Sequence, residues 1–174
     1  DMEASAYVDR TLEVHAELRR RGRRVGVALQ AYLRRTPGDL ASRPARSVVR
    51  LVKGAYLESP SIAFERKPDV DAAYADLVAA ILSDGHSLHV ATHDPALVEA
   101  AERLVLDRRV AWDRIEFQML YGIRTDLQRD LAARGRPVRV YVPYGTEWYP
   151  YFTRRLAERP ANLTFFVSNL LRRA

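Results

Sequence analysis

Five short apolar runs, each trailed by a stretch with helical spacing, restrict this chain to an α/β architecture. The runs are Val25 to Gln30, Val48 to Lys53, one ending over His89 to Thr92, Ile115 to Leu120, and Val138 to Val142. The helical patterns are Ala6 to Arg21, part of Leu33 to Arg46, Val70 to Leu82, Pro95 to Leu106, Asp126 to Arg134 and Tyr149 to Arg159. Pro37-Gly38 reads as a turn, and Leu163 to Leu171 fits either state. Five βα units suit an open doubly wound sheet or part of a (β/α)8 barrel. No Gly-rich dinucleotide fingerprint follows a strand and no Walker A loop occurs, which lowers the open-sheet nucleotide-binding reading.

Arg50 is anomalous inside this pattern. It interrupts the run Val48-Val49-Arg50-Leu51-Val52, which suits a parallel strand covered on both faces. A guanidinium cannot shed its charge and is costly to bury unpaired. Arg50 therefore points into a polar, ligand-filled space, or the run is not a strand. Lys53 and Gly54 follow at the carboxyl end, where α/β folds build their sites. The other runs end similarly: Gln30, then Thr92-His93-Asp94, Gln118 and Tyr141. Polarity at any one strand end is ordinary. Five ends together favour a shared mouth.

The 174 residues are expected to form one domain, 1–174, with a sizeable core. Cysteine is absent, which excludes disulfides, thiolate nucleophiles and Cys-ligated metal. No apolar run reaches the length of a membrane span and no signal-peptide pattern opens the sequence, so a cytoplasmic protein is expected. The net charge is +6, nearly all of it from arginine, since Lys53 and Lys67 are the only lysines. The arginines are dispersed and form no basic stripe interleaved with aromatics, so no nucleic-acid partner is expected. No metal site is expected either: His86, His89 and His93 lack ligand spacing, and His15 is read as exposed on its helix. Arg154-Arg155 could grip a carboxylate, although an exposed helix with an Arg154–Glu158 pair is the simpler reading of those residues alone. Tyr151 beside them is ordinary core packing or a pocket wall. A site rich in Arg, Lys, Gln, Thr and His but poor in nucleophiles suits an anionic cofactor that carries the chemistry itself.

RLVKGAY at 50–56, ATHD at 91–94, EFQMLYG at 116–122, RVYVPYG at 139–145 and YFTRRLAERPAN at 151–162 resemble the motifs of the proline dehydrogenase family. QAYLRR at 30–35 and DME at 1–3 fit as well, in the same order. The resemblance, to the monofunctional bacterial type, implies a distorted TIM-like barrel, present here as a carboxyl-terminal fragment of about five βα units. It implies non-covalent FAD, oxidation of L-proline to 1-pyrroline-5-carboxylate by hydride transfer to the flavin, and a quinone acceptor reached at the inner face of the membrane. In family terms Asp1 and Arg50 look catalytic. Met2, Gln30, Lys53, Gly54, Ala55, Thr92 and His93 look like FAD contacts. Arg154 and Arg155 look like the substrate-carboxylate pair, Tyr141 and Tyr151 like pocket walls, and Glu158 like part of the same helix network. The family's substrate-binding lysine on an earlier strand has no counterpart, and a chain lacking those strands is expected to retain FAD weakly. The competing readings are a metal-dependent barrel hydrolase using His89, His93 and Asp94, and a basic, non-enzymatic binding module.

Overall fold

The computed structural model describes residues 1–146. The expected helix at Tyr149 to Arg159, the segment 163–171, and Tyr151, Arg154, Arg155 and Glu158 lie outside the described residues. Five strands form one sheet: β1 (Gly26–Gln30), β2 (Val48–Val52), β3 (Ser87–Val90), β4 (Ile115–Leu120) and β5 (Val138–Tyr141). Five helices alternate with them: α1 (Val8–Arg20), α2 (Thr36–Ala41), α3 (Lys67–Ser83), α4 (Pro95–Asp107) and α5 (Thr125–Ala133).

Every pairing is parallel and the spatial order is β1-β2-β3-β4-β5. A doubly wound sheet reverses its order at a switch point. This one advances by one strand at each crossover. Because βαβ crossovers are almost always right-handed, unreversed order puts all the helices on one face. Burial agrees. Val49, Leu51, Leu88, Val90, Ile115, Phe117 and Met119 alternate along β2 to β4 and are almost wholly buried. They meet Val70, Tyr74, Leu77, Val78 and Ile81 of α3 and Leu97, Val98, Ala101 and Val105 of α4 in one core. The Tyr74 hydroxyl enters that core by donating to the Leu51 carbonyl at 3.0 Å.

The opposite face departs from the expectation of a strand covered on both sides. Arg50, His89, Glu116 and Gln118 occupy it and are only half-buried. Ala28, Arg50, His89 and Glu116 are successive partners across the register, so the row is polar across three strands, β2 to β4. Arg50 and Gln118 therefore stand on the inner wall of the sheet, within β2 and β4, and not at their carboxyl ends.

Some boundaries shift for local reasons. Pro37 sits in the first turn of α2, where its missing N–H costs nothing, so Pro37-Gly38 opens a helix and does not turn the chain. Pro68 does the same for α3, which begins at Lys67, three residues before the expected Val70. β3 stops at Val90, leaving Ala91 to Asp94 as the loop into α4. On α1 the buried positions are Val8, Leu12 and His15, while Val14 is 43% exposed. His15 is thus buried, against the expectation. Burial lowers the pKa of its ring, with nearby Arg43 adding to the effect.

Candidate functional site

The amino-terminal segment meets the carboxyl end of β1 and the loop after β2, and its first residue reaches the middle of β2. Gln30, buried as the last residue of β1, donates from Nε2 to the Glu3 carbonyl at 2.8 Å. Met2 is buried. The Glu3 carboxylate accepts from the Tyr56 hydroxyl, and Ser5 donates from its amide and hydroxyl to Glu58 at 2.6 and 2.7 Å. These contacts bring Asp1 to Arg50, with Asp1 Oδ1 2.8 Å from Nη1. The pair lines a cavity of about 300 Å³ with Gly26, Val27, Ala28, Val48 and His89. Arg50 Nε is buried and has no partner among the described residues.

Behind Arg50 the inner wall is a connected polar chain. Gln118 Nε2 donates to Glu116 Oε1 at 2.6 Å and lies 2.9 Å from His89 Nδ1. Arg139 grips Glu116 through two bonds of 2.7 Å, and those bonds are the main reason the carboxyl pKa is lowered. Burial keeps the His89 ring below its ordinary pKa despite Glu116 nearby.

At the carboxyl ends of β2 and β3 the lysines meet two carboxylates. Lys53 Nζ is 2.6 Å from Asp71 Oδ1 and 2.7 Å from Asp94 Oδ2. Lys67 Nζ contacts Asp71 and lies 3.1 Å from Asp94. Asp94 also caps α4 by accepting from the Ala96 amide. Burial alone would raise the Asp94 pKa. Hydrogen bonds from Lys53 and Lys67 outweigh it and hold the carboxyl at about 2.

Thr92 and His93 precede this cap. Thr92 Oγ1 accepts from the Asp94 amide at 3.2 Å, which leaves its O–H to donate. His93 Nε2 accepts from the Leu120 amide at 2.9 Å, so the ring proton sits on Nδ1. Burial, helped by Arg124, lowers its pKa to about 4 and keeps the ring neutral at physiological pH. Ala55 is exposed on the loop after β2, and Tyr141 is 48% exposed at the end of β5.

Gly54, next to Lys53, has a packing reason to be glycine. Its φ is +114°, and a Cβ there would lie 2.6 Å from Tyr32 Cγ and closer still to the ring's Cδ1. The space is filled by Tyr32, which is itself anchored by its amide to the Lys53 carbonyl at 2.8 Å.

The competing readings find no support in this geometry. His93 faces the Leu120 amide, His89 faces Gln118, and Asp94 faces two lysines, so the three do not converge. No group of three His, Asp or Glu suited to a metal ion occurs among the described residues. Many arginines are locally neutralised: Arg35 by Asp9 and Asp39, Arg66 by Asp69, Arg124 by Asp126, and Arg134 and Arg136 by Asp130 and the buried Glu102 together.

The sequence profile of the proline dehydrogenase family matches residues 1–168. The chain belongs to the proline dehydrogenase family. It is 48% identical over 175 residues to a proline dehydrogenase of Deinococcus radiodurans, and 41% identical over 174 residues to proline dehydrogenase 2 of Bacillus subtilis. Each alignment covers 99% of this chain, but only 56% and 57% of those relatives. The chain thus spans little more than half their length. Among solved structures, proline utilization A of Bdellovibrio bacteriovorus, inactivated by N-propargylglycine, superposes with a TM-score of 0.81 at 27% identity, over 90% of this chain and 19% of that one. The same protein of Bradyrhizobium japonicum, at 24% identity and a TM-score of 0.75, shares the fold. The parallel sheet with its one-sided helices is therefore part of a distorted (β/α)8 barrel, as in the proline dehydrogenase domains of those proteins.

Family membership implies FAD, and the described residues fit such a group. The inner wall and rim offer donors: the unpartnered Arg50 Nε, the Thr92 hydroxyl, His93 Nδ1–H and the third N–H of Lys53. Donors of this kind suit a cofactor whose ring carbonyls and diphosphate are acceptors. Sequence reasoning missed Asp71, Lys67, Glu116 and His89 as parts of this arrangement. The spacing of Lys67 and Asp71, four residues apart at a helix start, was legible as an ion pair but not as a partner for Lys53. Glu116 shares the two-residue period of Gln118, which puts both on one strand face.

Proposed function

We propose that the protein takes part in FAD-dependent oxidation of L-proline to 1-pyrroline-5-carboxylate. The observation that carries the reading is the Asp1–Arg50 pair on the inner wall, beside a rim of unspent donors, in a chain of this family. Bound FAD would supply the hydride acceptor: the C5–H bond of proline breaks, its electron pair leaves to the flavin, and C5=N forms as the amine loses a proton.

The chain's own residues do the rest. Arg50 offers positive charge where negative charge accumulates, and Asp1 fixes its guanidinium. Thr92, His93 and Lys53 hold the cofactor from the rim, with Met2, Gln30, Gly54 and Ala55 around it. Neutral His93 donates from Nδ1 while its other nitrogen stays on the Leu120 amide. Arg154 and Arg155 grip the substrate carboxylate, which orients C5, and Tyr141 and Tyr151 wall the pocket. A quinone would be the electron acceptor, and the protein would meet it at the membrane surface by a peripheral association. Among the described residues no helix is long and apolar enough to cross a membrane.

The test is spectroscopic. The intact holoprotein should be yellow, and its flavin absorbance should bleach on anaerobic addition of L-proline. An unchanged flavin spectrum would sink the reading. Arg155→Met should raise KM for proline steeply with FAD still bound. Unchanged proline kinetics would remove the carboxylate grip.

A further inference from the structure

The proposed cofactor contact Lys53 has an unusual setting for a residue that must greet an anion. Its ammonium is 12% exposed and touches two carboxylates, Asp71 and Asp94, which are 22% and 18% exposed. Those three groups alone sum to one negative charge. Such a triad would repel a diphosphate, however well Lys53 were aimed. Lys67 changes the sign of the argument. It reaches the same two carboxylates from the first turn of α3 and brings the cluster to neutrality. Its own side chain is 66% exposed, so it is not buried as a ligand contact. Among the described residues the other cation near Asp94, Arg124, is committed to Asp126 through three bonds of 2.9 to 3.2 Å.

We infer that Lys67 is a charge-balancing residue: by cancelling the second carboxylate, it lets Lys53 be held rigidly by Asp71 and Asp94 and still present a net-favourable N–H to an anionic cofactor oxygen. An ammonium has three N–H groups, and the two carboxylates take two. Among the described residues the third has no partner and is the one left for the ligand. Asp71 is then a positioning residue, and the four-membered cluster also ties the ends of β2 and β3 to the start of α3. The low pKa of Asp94 keeps the cluster's charges constant at ordinary pH.

The inference rests on the FAD reading above, and the experiment separates the two. Apoprotein prepared from the intact holoprotein is titrated with FAD and read by flavin fluorescence, at low and at high salt. Lys67→Met leaves the triad net negative and should weaken FAD binding on the order of fivefold at low salt, because the lysine is largely exposed. The gap should narrow at high salt. Lys67→Arg should bind as wild type. The decisive variant is Lys67→Met with Asp71→Asn, which restores neutrality by removing both charges while keeping side chains of similar size. It should recover affinity to within about twofold of wild type, whereas a merely structural role predicts that the losses add. Thermal melts establish that each variant folds. Wild-type affinity in Lys67→Met, or a double variant no better than the single, overturns the inference alone. Wild-type apoprotein that takes up no FAD overturns the cofactor reading and the inference with it.

Discussion

Arg50→Met tests whether the charge on the inner wall is kept for folding or for a ligand. Among the described residues Arg50 makes one ion pair, with Asp1, and the two side chains are 31% and 62% exposed. A pair that open contributes at most about 1 kcal/mol. Against it stands Nε, buried without a partner among the described residues. A buried donor left unmatched costs about 1–3 kcal/mol. Methionine keeps much of the apolar stem and removes both terms. The apoprotein should therefore become more stable, by about 1 kcal/mol, in urea denaturation followed by circular dichroism. FAD affinity should move the other way. Loss of a charge-assisted contact of about 1.5–3 kcal/mol corresponds to roughly ten- to a hundredfold in Kd by fluorescence titration. If Arg50→Met destabilises the apoprotein by more than about 1 kcal/mol, the guanidinium is a structural element and the reasoning is refuted.

Three further outcomes follow from the same geometry. Gly54→Ala should cost about 3 kcal/mol, from a positive φ and displacement of the Tyr32 ring, and a melting temperature equal to wild type would contradict the packing. Folded His93 titrates near 4 against 6.5 for the free group, so its stability contribution is complete above pH 6.5 and is lost as pH falls toward 4. At most about 3 kcal/mol is at stake, and His93→Gln should flatten that part of the stability–pH curve; an unchanged slope removes His93 as its source. Glu102 is 5% exposed and holds Arg134 and Arg136, the latter stacked 4.1 Å over Trp112. Glu102→Ala should destabilise by about 3 kcal/mol in urea, and a loss below about 1 kcal/mol would mean that solvent replaces the pair.

The strands and most helices were legible because periodicity records which side of an element is wet. The run Val48 to Val52 announces a strand whatever it packs against. The helix starts were harder. Lys67-Pro68 and Pro37-Gly38 look like loop residues, yet proline is tolerated in a first turn, and both open helices. His15 was misjudged because a polar residue on a polar helix gives no sign of the neighbour that will cover it.

The sequence by itself determined the α/β alternation and, through ordered motifs at strand ends, the family. It also marked Arg50 as a charge in need of a reason. Only the tertiary structure decided what each polar group does with that position. Unreversed strand order puts all the helices on one side and leaves Arg50, His89, Glu116 and Gln118 on the other, the last three joined by hydrogen bonds. Gly54 proved to be shaped by Tyr32, which lies 22 positions earlier. Lys53 proved to be shared between Asp71 and Asp94, from two different elements, with Lys67 closing the cluster. Periodicity is a property of one segment and survives in the sequence. Charge balance and close contact depend on distances between segments, and only the folded chain sets those.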